Sequence, residues 1–311
     1  MAIAHVSMTP LDGAAWAAAE AFREAGIESF CIAPDADAAG RASPTDYRLP
    51  PMGPAVARLE AADAVICHDA WPLKERWLPA GKPTVVWIHT PGGPVPPTGV
   101  PWGVAGRLPP TCHGGRPPLP ELVPLGHRFY RPGPKAGDRV RIAACLPNGT
   151  SRFPNNPAVE ATLAGLAGLG DEADLDIVAD LALDRRLDRM RRAHVVIDAC
   201  PAGSYGRVSL EALAVGCVVI NRCDALRAWR LQRMTGGCGH PFEAAAPAGL
   251  GKVLRELVGL GPATLATMGR RNRQWIEGAW RPAELIRRNL LPLLDAARAA
   301  REIRKDGNET T

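Results

Sequence analysis

Apolar residues along the chain fall into short runs rich in β-branched side chains, and helix-forming segments separate these runs. Residues 2–7, 84–88 and 195–197 are runs of this kind, too short for helices and typical of buried parallel strands. Residues 14–25 are rich in alanine and are followed by Gly26, as expected for a helix that ends at a glycine. The regular alternation of strands and helices predicts an α/β protein with parallel sheets.

The elements form two groups, and 311 residues favour two hydrophobic cores over one. Residues 91–134 are dense in proline and glycine and show little periodicity. Within them we predict that residues 122–124 and 129–132 form the closing strand and the exit of the first domain. The predicted domains are residues 1–136 and residues 137–282, followed by a C-terminal helix and tail at 283–311.

Residues 194–224 carry the most informative pattern. An apolar strand at 195–197 leads through a glycine-bearing loop at 200–206 into a predicted helix at 208–215, and a second apolar strand follows at 217–220. In such βαβ units, ligands bind beyond the carboxyl ends of the strands, where the first amides of the helix favour anions. Glu211 lies early in this helix, where its carboxylate can accept hydrogen bonds from the hydroxyls of a ligand.

This stretch resembles the donor-sugar motif of GT-B glycosyltransferases, in particular the retaining family four. The residues in register are Tyr205-Gly206, Glu211-Ala212, Ala214-Val215-Gly216 and Val218-Val219-Ile220. The motif of that family begins with a glutamate, and Gly203 occupies that position here. The resemblance implies a GT-B fold, in which two Rossmann-like βαβ domains face a central cleft and a C-terminal helix returns to the first domain.

The same resemblance implies a hexosyltransferase-type enzyme (EC 2.4 class) that moves a sugar from a UDP- or GDP-sugar to an acceptor hydroxyl. It also implies retention of configuration, with no metal and no cofactor besides the nucleotide-sugar co-substrate. Glu211 would hold the ribose hydroxyls. The residues assigned to the donor side are Gly13, Asn148, Arg152, Ser204, Tyr205, Gly206, Arg207, Val208 and Glu211.

Positive charge at the diphosphate is the main departure from the family. The leaving group gains negative charge as the glycosidic bond breaks, so cations or amides must stabilise it. Of the basic pair that the family supplies, only Arg152 is present, because the lysine position falls on Pro154 or Asn155. Three alternatives stay open: Arg152 acts with Arg207, backbone amides meet the charge, or catalysis is impaired and the protein only binds nucleotide sugars.

Two histidines, His68 and His89, follow predicted strands of the first domain, at the ends where parallel sheets place their ligands. Together with Asp12 they are assigned to the acceptor or sugar side. His89 joins Arg152 and Glu211 as a predicted catalytic residue, and a packing role for either histidine stays open. The eight cysteines include no pair with usual zinc spacing, so no metal site is predicted.

Charge and hydropathy bear on the partners. The formal net charge is +5, and residues 270–305 contain ten Lys/Arg and four Asp/Glu, which suits a nucleic acid or an anionic membrane as well as a solvated helix face. The acceptor is therefore open between a small molecule, a lipid-linked glycan and a hydroxylated base of DNA. No apolar run approaches the roughly 20 residues of a membrane span, and no signal segment is recognised. We therefore expect a cytoplasmic protein, with the basic segment as a peripheral contact.

Overall fold

The computed structural model describes residues 1–9, 13–35, 44–69, 71–90, 95–105, 108, 117–135, 137–146, 157–198 and 205–308. These residues form two compact units. The first unit combines Met1–Pro124 with Pro282–Thr311, and the second unit is Leu125–Arg281.

Eleven strands are present in the described residues. They are β1 (Ala2–Ser7), β2 (Glu28–Ile32), β3 (Ala64–His68), β4 (Thr84–Ile88), β5 (Trp102–Ala105), β6 (Pro118–Leu119), β7 (Val140–Cys145), β8 (Ala173–Val178), β9 (Val195–Asp198), β10 (Val218–Asn221) and β11 (Glu243–Ala244). The first unit contains a sheet in the order β2-β1-β3-β4-β5-β6, and the second contains a sheet in the order β11-β10-β9-β7-β8. Every strand pair is parallel, which confirms the predicted α/β class.

Nine α-helices lie in the same described residues. They are α1 (Ala14–Glu24), α2 (Pro54–Ala61), α3 (Pro157–Ala167), α4 (Leu183–Arg192), α5 (Arg207–Ala214), α6 (Ala225–Thr235), α7 (Leu250–Ala279), α8 (Pro282–Leu285) and α9 (Leu291–Asn308). Within the first unit, α8 packs against α1 and α9 packs against β4. None of the helices in the described ranges combines the length and the apolar character that a bilayer crossing requires.

Alternating apolar side chains form the core of each unit. In the first unit they come from β1, β3 and β4, and Val6, Val65 and Val86 are representative. In the second unit, Ile142, Ile197 and Ile220 from three neighbouring strands pack under leucines of α7. Burial of such side chains contributes about 1.5–3 kcal/mol each relative to exposure. The strand assignments made from β-branched runs therefore mark the buried centres of both sheets.

The prediction for residues 91–134 was wrong in its strands. The first sheet is closed by β5 and β6, whereas Arg128–Tyr130 is a short 3₁₀ helix. Both strands are too short to show periodicity, and β5 contains Gly103, which weakens any strand signal. That glycine is needed because a Cβ there would lie 2.6 Å from Leu119 Cγ.

The second unit begins at Leu125, earlier than residue 137, where the second domain was predicted to begin. Residues 125–131 contact it directly, since Arg191 donates hydrogen bonds to the carbonyl oxygens of Phe129 and Arg131 at 2.8 and 3.1 Å. Arg273 of α7 also donates to the carbonyl oxygens of Leu125 and Tyr130 at 3.3 and 2.7 Å. Arginine contacts of this kind produce no hydrophobic periodicity in the sequence. The domain boundary predicted from composition therefore falls later in the chain than the boundary in the structure.

Candidate functional site

The carboxyl edge of the second sheet is where α4, α5 and α6 begin. At this edge Asp198, the last residue of β9, accepts hydrogen bonds from the Gly206 amide at 2.6 Å and from the Ser209 amide and hydroxyl at 3.2 and 2.7 Å. Asn221 at the end of β10 donates to the same hydroxyl at 3.0 Å. Asp198 thus caps α5, and the amide of Gly206, a predicted donor-side residue, donates to this carboxylate.

Gly206 is required by this cap. A Cβ added to it would lie 2.7 Å from Asp198 Oδ2 and 3.2 Å from Oδ1. The sequence pattern marked Gly206 for a different reason, its resemblance to a donor loop. Asp198 was missed, although a carboxylate directly after an apolar strand and before a helix is a signal that could have found it.

Glu211 is fully buried in α5, between two arginines. Arg186 of α4 donates to it through Nε at 3.2 Å and Nη2 at 3.0 Å, and Arg207 donates through Nε at 2.9 Å. Arg207 also donates to the Tyr130 hydroxyl at 3.2 Å. A buried carboxylate requires such partners. The three charged side chains together carry one excess positive charge.

This geometry bears on the role predicted for Glu211. Both of its oxygens accept hydrogen bonds from guanidinium groups, so a ribose hydroxyl would have to share them. The ribose contact stays a prediction. Neither Arg186 nor Tyr130 was assigned from sequence. Burial raises the pKa of Tyr130 to about 12, so its hydroxyl is a neutral partner of Arg207 at pH 7.

The remaining predicted donor residues fall into two groups. Tyr205, Gly206, Arg207 and Val208 lie together with Glu211 around the start of α5, and the buried Tyr205 ring stacks on Phe242 with centroids 5.8 Å apart. Gly13, in the first unit, precedes α1 with a left-handed φ of 77°. The other predicted residues, Asp12, Asn148, Arg152 and Ser204, lie outside the described residues.

The first unit contains a buried chain of three histidines and a glutamate, here called the histidine chain. Nδ1 of His5 in β1 lies 3.0 Å from Nε2 of His68, and Nδ1 of His68 lies 2.8 Å from Nε2 of His89. Nδ1 of His89 then lies 3.3 Å from Glu121 Oε1. All four side chains are buried. The histidine chain crosses the sheet from β1 to the segment that follows β6.

A single direction of hydrogen-bond donation fits this chain. An ionised Glu121 can only accept, so His89 donates to it from Nδ1 and accepts at Nε2 from Nδ1 of His68. In the same way, His68 accepts at Nε2 from Nδ1 of His5. Among the described residues His5 Nε2 has no hydrogen-bond partner, which suits a ring nitrogen without a proton. Burial, and to a lesser degree the charge of Arg23, lowers the pKa of His5 to about 3. His5 is therefore neutral at pH 7.

Asp69 fixes the backbone beside the histidine chain. It has a left-handed φ of 62° and accepts hydrogen bonds from the His89 amide at 2.8 Å and from the Thr90 hydroxyl at 2.9 Å. The structure therefore brings His68 and His89 together, as their positions after β3 and β4 indicated. Both ring nitrogens of His89 engage protein groups, and its contact with a sugar stays a prediction. His5 and Glu121 were missed, because one histidine or one glutamate among apolar residues gives no signal of a partner.

A metal site in the described ranges would require several ligand side chains close together. No group of three or more His, Cys, Asp or Glu side chains there is arranged to hold a metal ion. The chemistry open to the described residues is hydrogen bonding and charge stabilisation by arginines at the second sheet, and proton exchange among imidazoles at the first.

Comparisons with known proteins agree on the architecture. No family model matches the chain, and no curated protein matches it. Among solved structures, Anabaena Alr3699/HepE in complex with UDP and glucose has a TM-score of 0.54 at 11% identity, covering 92% of this chain and 97% of that one. An α-glucosyltransferase in complex with UDP and a 13-mer DNA containing an HMU base has a TM-score of 0.52 at 11% identity, covering 96% and 99%.

A third similar structure is AviGT4, a glycosyltransferase involved in avilamycin A biosynthesis, with a TM-score of 0.51 at 14% identity, covering 97% of this chain and 98% of AviGT4. The chain has the GT-B fold. The fold predicted from residues 194–224 is thereby confirmed. At these identities the likeness is one of fold, so the activity must be argued from the residues of this GT-B protein.

Proposed function

We propose that this GT-B protein is a glycosyltransferase that moves a sugar from a nucleoside-diphosphate sugar to an acceptor hydroxyl. The observation that carries the proposal is the buried cluster of Arg186, Glu211 and Arg207, which has an excess positive charge at the carboxyl edge of the second sheet. Parallel α/β sheets bind ligands at this edge. Guanidinium groups are suited to phosphate because their donors match its oxygens in pairs.

The charge on the donor explains why such a cluster would be useful. When the bond between the anomeric carbon and the phosphate oxygen breaks, the bond electrons remain on the nucleoside diphosphate. Arginines already held in place by Glu211 stabilise that charge without reorganising. In this proposal Arg207 faces the diphosphate, with Arg152 and Asn148 from the loop after β7. HepE was solved with UDP and glucose, which supports a UDP-sugar as the first donor to test.

The resemblance to family four supports a mechanism with retention of configuration. The acceptor oxygen forms the new bond to the anomeric carbon, and its proton passes to the departing phosphate oxygen, so neither a protein base nor a metal is needed. Hexosyl transfer follows from the same resemblance. His68, His89 and Asp12 are proposed for the acceptor or sugar side.

Two roles remain for Glu211, and they predict different effects of Glu211→Gln on nucleotide affinity. If Glu211 accepts hydrogen bonds from ribose hydroxyls, wild-type protein should prefer UDP to 2′-deoxy-UDP, and Glu211→Gln should reduce that preference. If Glu211 only orders Arg186 and Arg207, Glu211→Gln should weaken both nucleotides by the same factor. Isothermal titration of the two nucleotides against both proteins separates these roles.

A hydroxylated base in DNA is a second candidate acceptor. One protein of similar fold was solved with UDP and a DNA that contains an HMU base, and residues 270–305 of this chain are strongly basic. Duplexes with and without a hydroxymethyl base, titrated at several salt concentrations, test this candidate. Binding that ignores the modified base and vanishes at physiological salt would indicate charge attraction alone.

A thermal-shift screen of nucleotides and nucleotide sugars tests the proposed function most directly. A ligand at 100 times its Kd raises the free energy of unfolding by about 2.7 kcal/mol. We expect one nucleoside-diphosphate sugar to raise Tm, followed by release of the nucleotide once an acceptor is added. Binding without any turnover or hydrolysis would support the alternative of an impaired nucleotide-sugar-binding protein, and no shift with any nucleotide would contradict the proposal.

A further inference from the structure

Helix α6 begins at the carboxyl edge with an unusual placement of charge. Its N-cap, Asp224, accepts a hydrogen bond from the Arg227 amide at 2.9 Å and forms an ion pair with the Arg227 side chain. Arg230 follows one turn later. Cations near a helix N-terminus are disfavoured by the helix dipole. Asp224 offsets this cost for Arg227, and Arg230 requires a separate explanation.

One guanidinium nitrogen of Arg230 lacks a hydrogen-bond acceptor among the described residues. Its Nη1 atom is buried, and among the described residues no group accepts a hydrogen bond from it. A buried charged donor without an acceptor is costly. Burial and the neighbouring charge of Arg227 lower the pKa of Arg230, while Tyr205 and Asp224 partly offset that effect. Folding therefore holds a guanidinium beside another guanidinium, at a free-energy cost.

The position of Arg230 points to the site already described. Side chains on a helix lean toward its N-terminus, so the guanidinium extends toward the edge where β10 ends and α6 begins. Tyr205 and Asp224, which both act on the pKa of Arg230, lie at the starts of α5 and α6. Among the described residues, the buried or half-buried arginines of this edge are therefore Arg186, Arg207, Arg227 and Arg230. With Glu211, Asp224 and Asp198, the carboxylates described at this edge, they leave an excess of one positive charge.

We propose that Arg230, supported by Arg227, binds a phosphate oxygen of the donor diphosphate and supplies the cation that this chain lacks at Pro154 and Asn155. The inference rests on the proposed function. It accounts for the missing lysine. The Gly206 amide already donates a hydrogen bond to Asp198 and could not bind the phosphate in place of the lysine without breaking that bond. The ligand chemistry is a phosphate oxyanion, which UDP and inorganic pyrophosphate share.

Arg230→Gln and Arg233→Gln form a matched pair of variants. Arg233 lies one turn further along α6, is exposed, and places its guanidinium 5.1 Å from the centre of the Trp229 ring. Both variants lose one positive charge from the same helix. Hydrogen bonds to charged groups contribute about 1.5–3 kcal/mol, so Arg230→Gln should weaken UDP binding by about 10- to 150-fold. Arg233→Gln should leave it within about 2-fold, since exposed charges contribute little.

Uridine provides the second arm of the titration. It has no phosphate, so its affinity should be the same for wild type and Arg230→Gln. Equal weakening of uridine and UDP by Arg230→Gln would overturn the proposal, because it would mean a general distortion of the site. Arg230→Lys, which keeps the charge with a single donor group, should recover part of the UDP affinity and provides a folded variant if glutamine is not tolerated.

Melting temperatures without nucleotide separate a binding role from a structural one. Removing a repelled cation should raise the Tm of Arg230→Gln by about 2 °C. A structural role predicts a lower Tm, which would overturn the proposal. UDP should then raise the Tm of the variant less than that of wild type.

Inorganic pyrophosphate distinguishes failure of this inference from failure of the proposed function. If wild type binds pyrophosphate in an Arg230-dependent way but binds no nucleotide, the anion site stands and the donor assignment falls. If wild type and Arg230→Gln bind both UDP and pyrophosphate equally, the donor assignment stands and the role of Arg230 is overturned. If wild type binds neither, both proposals are overturned.

Discussion

Each unit of this protein contains a buried network of titratable side chains at its sheet, and these two networks are built on opposite principles. The histidine chain of the first unit consists of His5, His68 and His89 with Glu121, and its imidazoles can be neutral because each ring offers one donor and one acceptor. The cluster around Glu211 in the second unit consists of full charges, because arginine cannot release its proton. The first network should therefore respond to pH and the second to anions.

The two networks also differ in what completes them. Every link of the histidine chain is made by protein groups, and its open end at His5 is a ring nitrogen that tolerates the lack of a donor. In the described part of that edge, Arg186, Arg207, Arg227 and Arg230 exceed the carboxylates of Glu211, Asp198 and Asp224 by one positive charge. A network whose hydrogen bonds are all made by protein groups serves structure or proton exchange. A network with excess positive charge is suited to binding an anionic ligand. This difference supports our proposal that the donor binds mainly to the second unit.

The largest expected effect is on the second network. Glu211→Gln leaves two buried guanidinium groups without their counter-ion, and removing one partner of a buried ion pair costs about 3–5 kcal/mol. The control is Glu277→Gln, which breaks the pair of the exposed Glu277 with Arg273 on α7 and should cost less than about 1 kcal/mol. Urea denaturation of both variants measures the difference. A cost below about 1 kcal/mol for Glu211→Gln would show that solvent reaches the cluster.

The histidine chain should make the first unit sensitive to acid. The folded-state pKa of His5 is about 3 and the ordinary value is 6.5, so the unfolded chain binds the extra proton between these values. The stability contributed by neutral His5 is present above pH 6.5 and is lost as the pH falls toward 3. A shift of this size corresponds to at most about 4–5 kcal/mol.

Hydrogen exchange of β1 amides between pH 4 and pH 8, with intrinsic exchange rates taken into account, measures this loss locally. Local measurement matters because burial also lowers the pKa values of His194 and His240 in the second unit. His5→Gln should be less stable than wild type at pH 8 and should show a flatter dependence on pH. An unchanged slope would mean that His5 does not take up the proton.

A smaller effect is expected at the cap of α5. Gly206→Ala forces a methyl group against Asp198, and overpacking of this kind costs about 1–3 kcal/mol. Gly278→Ala in α7 is the control, since no atom outside the neighbouring backbone of its own helix lies within 4 Å of the new Cβ and alanine is the better helix former. Chemical denaturation of the two variants should give shifts of opposite sign. Equal shifts would show that Asp198 moves aside without cost.

The fold could be predicted from sequence to a large extent, and the polar networks only in part. Strands such as β4 and β10 are apolar runs bounded by turns, so local pattern alone identifies them. Glu211 was found through its register with a known motif. Arg186 and Tyr130 lie 25 and 81 positions from Glu211 in sequence, and only the fold brings their side chains into the same cluster. Pairings across such separations have no local signature in a single sequence.

The smallest expected effect concerns the protons of the histidine chain. With Glu121 ionised, His5, His68 and His89 should all carry their proton on Nδ1, which ¹⁵N chemical shifts of the ring nitrogens report directly. In Glu121→Gln the amide group can donate to His89 Nδ1 as well as accept from it, so the order is no longer imposed and a mixture of tautomers is expected. The stability cost should be about 1–2 kcal/mol, because a hydrogen bond to a charged group becomes a neutral one. Wild-type histidines with their protons on Nε2 would mean that Glu121 is protonated. The whole histidine chain, including the carboxyl group of Glu121, would then be neutral, in contrast to the charged cluster around Glu211.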